Sequence, residues 1–578
     1  MKFKELAKYF ERLENTTKRL EMFQILSEAF KNSSVEEIRP VVYFLQEMLL
    51  PPFYGVQIGM ADKMTLKAIS KAFFVSEEEL NSKYKEKGDL GEIAFELNKK
   101  EDSELEVVQV YSELMKIAKT SGEGSNLLKI NMLANLLNKS SKLESKYIVR
   151  FTQGRLRLGV GESTIMEALS VAKLGNREGK EKIERAFNLV SDLGMVAEEL
   201  YKSGLEGVNK ITLMPMNPVR PALAERLPSA EEIISRLGKC AVDEKFDGFR
   251  SQVHKDGDNV KIFSRNLEDI THFMVDVVEE VKKLPYKRIV FDSEALAYDE
   301  NTDTLYPFQI TIQRKRKHNV EEVASKLPLR LFVFDILLLE DQILIDKPYS
   351  ERRKILESVF GEEGKIQRSR ILITDNPSEL QKFFDEVVTN GLEGIVAKNL
   401  NAPYSAGARN FNWIKLKRSY KSQLEDTIDV VILGYFFGKG ARTELGIGAL
   451  LVGVYNEDKD VFETIAKVGS GFTEDEFKQL RKLLDEIKVD NKPARVESLI
   501  SPDVWVYPKY VISVKADEIT KSPTHTCGAE NGVGYALRFP RAVGFIRSDK
   551  SVDDVNTTKE IVEMYNNQKK VKLENVDV

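Results

Sequence analysis

The sequence predicts a multidomain chain: an all-α domain, then an α+β domain, then a small β-barrel that ends in a helix. Three observations carry that prediction. Up to about residue 210, apolar residues recur at three- and four-residue spacing, as in Ile130, Leu133, Leu136 and Leu137, which is the period of an amphipathic helix. Pro215, Pro218 and Pro221 then arrive close together and the texture changes. Beyond Lys417, short β-branched runs separated by glycine-bearing turns dominate. The 578 residues suit three domains, which places boundaries at 1–212, 213–418 and 419–578.

Within the first domain, polar stretches such as Ser121-Gly122-Glu123-Gly124-Ser125 punctuate the helices. In the second, Phe249 to Ile262 reads as a hairpin that turns at Asp256-Gly257. Arg288 to Ala297 and Leu329 to Leu339 are apolar enough for buried strands, and Ser350 to Phe360 reads as a helix behind Pro348. In the third, Val430 to Leu433, Ala449 to Val454 and Val511 to Val514 read as strands, with a helix from Glu474 to Ile487. Several short strands and one helix in this length suit a barrel of the OB-fold type. Thr557 to Gln568 reads as a final helix.

Composition excludes several classes. No run approaches the roughly 18 apolar residues of a membrane helix. The start, Met1-Lys2-Phe3-Lys4, has no apolar signal core, so a cytoplasmic protein is expected, nucleoid-associated if prokaryotic. Two cysteines, Cys240 and Cys527, cannot build a four-cysteine zinc site and read as free thiols. The histidines form no cluster. A net charge of −5 gives no hint of nucleic acid, though a local basic surface suffices for one.

The sharpest motif is Lys245-x-Asp247-Gly248-x-Arg250. A lysine amine attacks only when neutral, so its pKa must fall from about 10.4, which a neighbouring cation such as Arg250 or a metal would bring about. Gly248 allows a sharp turn or a close approach to phosphate. On a strand, Asp292 and Glu294 would share one face, to pair, bind metal or accept hydrogen bonds. Glu393 opens an apolar strand, yet strict alternation sends Glu393 and Lys398 to opposite faces, so one lies at a strand end or a bulge intervenes. Trp413, Lys415 and Lys417 share a face; two adjacent ammonium groups repel, and a phosphoryl group between them resolves the repulsion. Arg409 is a further phosphate candidate. Arg150, Arg155 and Arg157, with Gly154, Gly159 and Gly161, surround a helix start at Ser163-Thr164, which suits phosphate binding; a buried turn with solvated arginines is the alternative. Arg314-Lys315-Arg316-Lys317 is a basic run, either a DNA contact or a plain exposed face. Lys439 and Arg442 lie in a glycine-bearing loop of the third domain.

Together these residues resemble the covalent nucleotidyltransferases, and most specifically the ATP-dependent DNA ligases of archaeal and eukaryotic replicative type. The signatures stand in the family's order: Lys245 to Arg250, Ser264-Arg265-Asn266, Phe291 to Ala295, Phe334-Asp335, Glu393 to Lys398, Trp413 to Lys417, and Arg538-Phe539-Pro540-Arg541. The resemblance covers nearly the whole chain. It implies that the first domain binds DNA, the second carries adenylation and the third is an OB-fold. It implies that Lys245 carries AMP, that Glu294 lies near ribose and metal, and that Phe334 stacks on the purine. It further implies that Glu393 is a metal ligand and that Arg538 and Arg541 grip pyrophosphate. ATP and Mg²⁺, with Mn²⁺ as a substitute, would be the cofactors. Nicked duplex DNA would be the substrate, sealed by a monomer in replication, repair and recombination. The family's acidic residue two before the lysine is Asp243 here, with Glu244 between, so either could read adenine. A sliding-clamp motif is missing from Asn98 to Val108, where aromatics are absent. NAD-dependent ligases carry a four-cysteine zinc site, which two cysteines rule out. A capping enzyme or RNA ligase usually lacks the helical domain, and a non-catalytic nick-binding clamp would not keep Lys245, Glu294, Glu393, Lys415 and Lys417.

Overall fold

The computed structural model describes residues 1–574 apart from 17, 301, 307, 312–313, 316–319, 418–426, 439–445 and 517. Lys439 and Arg442, and Arg316 and Lys317 of the basic run, therefore lie outside the described residues.

From Phe3–Glu14 to Leu193–Lys210 the chain is a succession of helices. Their buried stripes follow the spacing read from sequence. Phe3, Leu6, Ala7, Phe10 and Leu13 line one face of the first helix, and Ile130, Leu133, Leu136 and Leu137 that of Ser125–Lys139. Burying these stripes against one another is what makes short helices stable. Several begin with a side-chain cap; Asp89, for instance, accepts from the backbone N–H groups of Gly91 and Glu92.

Arg150 corrects one expectation. It is only 3% exposed, because every turn of its helix Lys142–Thr152 is packed within the domain. Its guanidinium is spent on Asp89 at 2.7 Å, Glu14 at 2.8 Å and Glu92 at 3.1 Å. In this structure it ties helices of the domain together rather than facing the surface. Burial would raise the Asp89 carboxyl, but Arg150 and Arg157 outweigh it and hold it at about 2. A depressed carboxylate contributes stability that is full above its unfolded value and is lost as pH falls through the folded one. Asp89 is therefore expected to contribute about 2 kcal/mol that disappears between roughly pH 4 and pH 2. Unfolding midpoints of the native chain and Asp89→Asn, measured across that window, should converge at the acid end; parallel curves would refute it.

The linker after Lys210 is pinned as well as bent. Gln252 accepts from the Val219 N–H at 2.7 Å and donates to its carbonyl at 3.1 Å, and Ser191 donates to Pro218 O at 2.6 Å.

The central domain is two packed sheets. Its strands are β1 (Leu223–Arg226), β2 (Cys240–Lys245), β3 (Phe249–Asp256), β4 (Asn259–Ser264), β5 (Arg288–Ala297), β6 (Leu329–Leu339), β7 (Gln342–Ile343), β8 (Ile366–Arg368), β9 (Ile371–Thr374), β10 (Gly394–Asn399) and β11 (Arg409–Lys417). One sheet runs β1-β11-β10-β2-β9; the other runs β4-β3-β5-β6-β7, with β8 beside β6. The hairpin and both buried strands fall where the apolar pattern placed them. The chain passes from one sheet to the other at the short turn between β2 and β3, which holds the lysine motif, and returns between β8 and β9.

The third domain begins with β12 (Ile428–Phe436), β13 (Ala449–Asn456) and β14 (Val461–Val468). Strand β12 also pairs with Val511–Lys515, which pairs with Arg541–Ile546, wrapping the sheet around the core. Helix Glu474–Asp485 packs into that core through Phe477, Leu480 and Leu484. A final helix, Thr558–Glu574, runs past the end expected for it. No helix among the described residues is long and apolar enough to cross a membrane.

Candidate active site

Lys245 is the last residue of β2, and Phe249 opens β3 in the other sheet. Phe246 anchors the turn between them by stacking on Phe332, ring centroids 4.0 Å apart. Gly248 is required for a reason other than phosphate. A Cβ there would stand 2.4 Å from the carbonyl oxygen of Ala295 on β5, so only glycine lets the turn lie on that strand.

The turn opens into a cleft of about 520 Å³ lined by residues of both sheets and of the third domain. Of the central-domain residues singled out above, Asp243, Glu244, Lys245, Arg250, Arg265, Glu294, Phe334, Glu393, Arg409, Lys415 and Lys417 all line it, as do Lys315 and Lys398.

Glu393 stands one residue before β10, and its N–H donates to the Lys245 carbonyl at 3.0 Å. Gly394 follows with φ +152°, and a Cβ there would be 2.1 Å from Leu416 O. This irregularity resolves the alternation conflict: Glu393 is off the strand, Lys398 is on it, and both reach the cleft. The Glu393 carboxylate bridges the Lys245 and Lys417 ammonium groups. Burial would raise this carboxyl, but Lys245 and Lys417 hold it down at about 2. Burial favours the neutral amine of Lys245, yet Glu393 and Glu294 outweigh it and raise its pKa. The expected drop is therefore not built into this arrangement, and Arg250 is not its source.

Arg250 is engaged elsewhere. It donates to Ala222 O and Asp292 Oδ2, each at 2.7 Å, and to the Tyr404 hydroxyl at 3.0 Å. Asp292 is fully buried by these partners and by Gln252, while Glu294, one register step along, faces the cleft. No hydrogen bond is made by the Glu294 carboxylate among the described residues. Burial pushes it up to about 7, against the pull of Lys245 and Arg250.

Phe334 and Trp413 meet edge to face at 6.0 Å, and Lys398 lies over both rings. Behind Phe334, Asp335 turns away from the cleft into a two-pronged pair with Arg352 at 2.8 and 2.9 Å, both side chains fully buried. Asp243 is 1% exposed and takes Lys398 Nζ at 2.7 Å, the Tyr349 hydroxyl at 3.2 Å and the Ser369 hydroxyl. Glu244 instead reaches Arg370 at 3.0 Å near the surface. Asp243 thus faces the aromatic end of the cleft and Glu244 its rim. The partners Tyr349, Ser369 and Lys398 come from three distant segments, and only Lys398 carried a signal in sequence.

Trp413, Lys415 and Lys417 share the cleft face of β11 as expected, while Ile414 and Leu416 are buried behind. Burial lowers the Lys415 pKa well below its usual value, and its strongest opposing charge is Glu560. Sequence reasoning missed these third-domain carboxylates. Glu560 pairs with Arg409 at 2.7 Å, and Asp554 with Arg265 at 3.6 Å. Asp429, beneath them, pairs with Lys550 and, at 3.4 Å, with Arg547. They sit where several cations converge.

Arg538 and Arg541 are not brought into this cleft. They flank an exposed turn at Phe539, φ +51°, and Arg538 pairs with Glu518 at 2.5 Å. Arg314 is likewise a structural residue, 2% exposed and bonded to Asp276 at 2.5 Å and to Phe273 O at 2.8 Å. Arg155 and Arg157 meet the third domain rather than solvent: Arg155 pairs with Glu486 at 2.7 Å, and Arg157 donates to Glu486 O at 2.8 Å.

A helical domain, a two-sheet domain and a β-domain around a cleft of lysines, carboxylates and rings define an enzyme built on a nucleotidyltransferase domain. Residues 221–417 match the family described as "ATP dependent DNA ligase domain", residues 2–170 match "DNA ligase N terminus", and residues 443–550 match "ATP dependent DNA ligase C terminal region". The chain is 53% identical over 576 residues to a Dictyoglomus thermophilum protein named "Probable DNA ligase", covering 99% of each. It is 42% identical over 586 residues to a "DNA ligase" of Sulfurisphaera tokodaii, covering 98% of this chain and 97% of that one. Among solved structures, "Pmar-Lig_PreS3" aligns with 93% of this chain and 99% of its own at 18% identity and a TM-score of 0.46. The chain belongs to the ATP-dependent DNA ligase family, and its activity is that of a DNA ligase.

Proposed function

We propose that the chain seals nicks in duplex DNA through a lysyl-AMP intermediate on Lys245, in replication, repair and recombination. The observation that carries this is the placement of Lys245 at the mouth of a cleft with rings at one end and cations at the other. Neutral Lys245 Nζ bonds to the α-phosphorus of ATP while the bond to the β-phosphate oxygen breaks and pyrophosphate leaves. A 5′-phosphate oxygen at the nick then displaces the lysine nitrogen, forming a DNA adenylate. The neighbouring 3′-hydroxyl attacks the 5′-phosphorus and AMP departs.

Phe334 and Trp413 provide the apolar wall for adenine, and Asp243, held by Lys398, Tyr349 and Ser369, is the carboxylate nearest that wall in character. Lys415, Lys417 and Arg409 offset phosphate charge once Glu560 withdraws. The third domain must rotate for Arg538 and Arg541 to reach pyrophosphate. Among the described residues no group of three or more metal-type ligands is preassembled. Glu294, unpartnered and half-buried, and Glu393 are hard oxygen donors that fit Mg²⁺ or Mn²⁺ holding several waters and phosphate oxygens. When bound, the ion supplies charge neutralisation at the phosphates. Cytoplasmic action as a monomer is part of the same proposal.

ATP labelled at the α-phosphate tests the reading. An acid-labile label on the chain is expected with ATP, absent after chelation and restored by Mg²⁺. A label that survives chelation would remove the metal, and labelling by GTP alone would point to capping chemistry.

A further inference from the structure

The linker that leaves helix Leu193–Lys210 is bonded repeatedly to the central domain. Val219 is held both ways by Gln252, and the Met216 N–H reaches His254 Nδ1 at 3.2 Å. At Ala222 the linker itself becomes a wall of the cleft. Both backbone groups of that residue are taken. Its N–H donates to the Tyr404 hydroxyl at 3.0 Å, and its carbonyl accepts from Arg250 at 2.7 Å.

Tyr404, between β10 and β11, does not itself line the cleft. It is buried, and its hydroxyl uses its one donor and both lone pairs. It accepts from Ala222 and from Arg250, each at 3.0 Å, and donates to Asp292 at 2.5 Å. Burial and the Asp292 charge push its pKa well above the usual value, so the donated proton stays on it. Its ring meets Trp413 edge to face at 5.7 Å, as Trp413 in turn meets Phe334. Arg250 lies 5.4 Å from the centre of the Phe334 ring and 5.8 Å from that of Trp413. The segment after Tyr404 is gripped from the linker side as well. Gly407 N–H donates to Arg220 O and Leu223 N–H to Ala408 O, each at 3.1 Å. Gly407 has φ +68°, and a Cβ there would stand 2.4 Å from Asn188 Oδ1 of the helical domain. Leu213, Val219, Ala222, Tyr404 and Trp413 belong to one apolar core with the helical domain.

We propose that Tyr404 is a positioning residue for the nucleotide, tying the seat of the interdomain linker to the rings that receive the base. Its hydroxyl sets Arg250 against Phe334 and Trp413, its ring sets Trp413, and Ala222 anchors the hydroxyl. A base packed on the two rings holds Arg250 and Tyr404 still, and these hold the linker. Coupling of this kind is reciprocal: a seated linker raises affinity for ATP, and bound ATP seats the linker by the same factor. The helical domain thereby acts on the nucleotide step through its tether, without touching the nucleotide. This rests on the reading of the cleft as an ATP site.

Amide hydrogen exchange across residues 213–224 tests it, on the full-length chain with and without α,β-methylene ATP, whose carbon bridge blocks departure of pyrophosphate. In the native chain the analogue should slow exchange at Val219 and Ala222 about fivefold. In Tyr404→Phe, which keeps the ring, that slowing should vanish. The same variant should raise KM for ATP in self-labelling about fivefold while kcat stays within about twofold. Faster exchange throughout the variant with the nucleotide-dependent difference intact would mean a structural role alone. A fall in kcat at unchanged KM would place the tyrosine in the transfer step. Either result overturns the proposal. Should Tyr404→Phe fold poorly, Gln252→Met frees Val219 while leaving Tyr404 in place, and must weaken the same protection. Failure of the analogue to bind the native chain overturns the ATP-site reading and this proposal with it. Binding without protection of the linker overturns this proposal alone.

Discussion

Lys245→Ala is expected to abolish labelling by α-labelled ATP and to lower nick sealing by about 10,000-fold or more, because no other group can carry the intermediate. The amine stands where the turn opens into the cleft, with Glu393 against it and Glu294 beside it. Removing it also releases Glu393 to Lys417 alone, so the fold should persist. The useful control is a duplex already bearing AMP on its 5′-phosphate. The variant should seal that substrate far better than it seals an ordinary nick with ATP, since only the final step is then required. Comparable defects on both substrates would show that Lys245 does more than carry AMP.

A second large effect concerns stability. Asp335→Ala leaves the Arg352 guanidinium buried without its two-pronged partner, where both side chains have no exposure. Breaking such a pair from one side costs about 3–5 kcal/mol. For a domain of this size, that lowers the melting midpoint by roughly 10 °C. Replacing both members, as in Asp335→Leu with Arg352→Met, should recover much of the loss, because an apolar pair of similar volume carries no stranded charge. Calorimetry of the three chains decides it; a single variant that melts with the native chain would contradict the geometry.

What the sequence made legible is what has a short period or a fixed spacing. The strands Arg288–Ala297 and Leu329–Leu339 were readable from apolar runs, and the shared face of Trp413, Lys415 and Lys417 from simple alternation. The conflict between Glu393 and Lys398 was visible as a conflict; its resolution required the backbone excursion at Gly394. Charge partners were not legible. Arg150 looked like a phosphate contact because its partner Asp89 lies 61 residues away, across the helical domain. Tyr349 and Ser369, which fix Asp243, share no spacing with it. Glu560, which meets Arg409 from 151 residues away, belongs to a helix whose polar face reads as solvated. Pairings between domains depend on how the domains sit, and no local pattern encodes that.

Only Phe246, Asp247 and Gly248 separate the last residue of β2 from the first of β3, and Phe246 and Gly248 are both locked onto the second sheet. A tether that short has no slack. Any change in the angle between the sheets, as when a base slides between them, must displace the Lys245 amine by a comparable amount. The nucleophile thus behaves as a lever fixed to the hinge of its own binding pocket. Fit of the base and aim of the amine become one mechanical variable, so a substitution that loosens base packing should be felt at phosphorus.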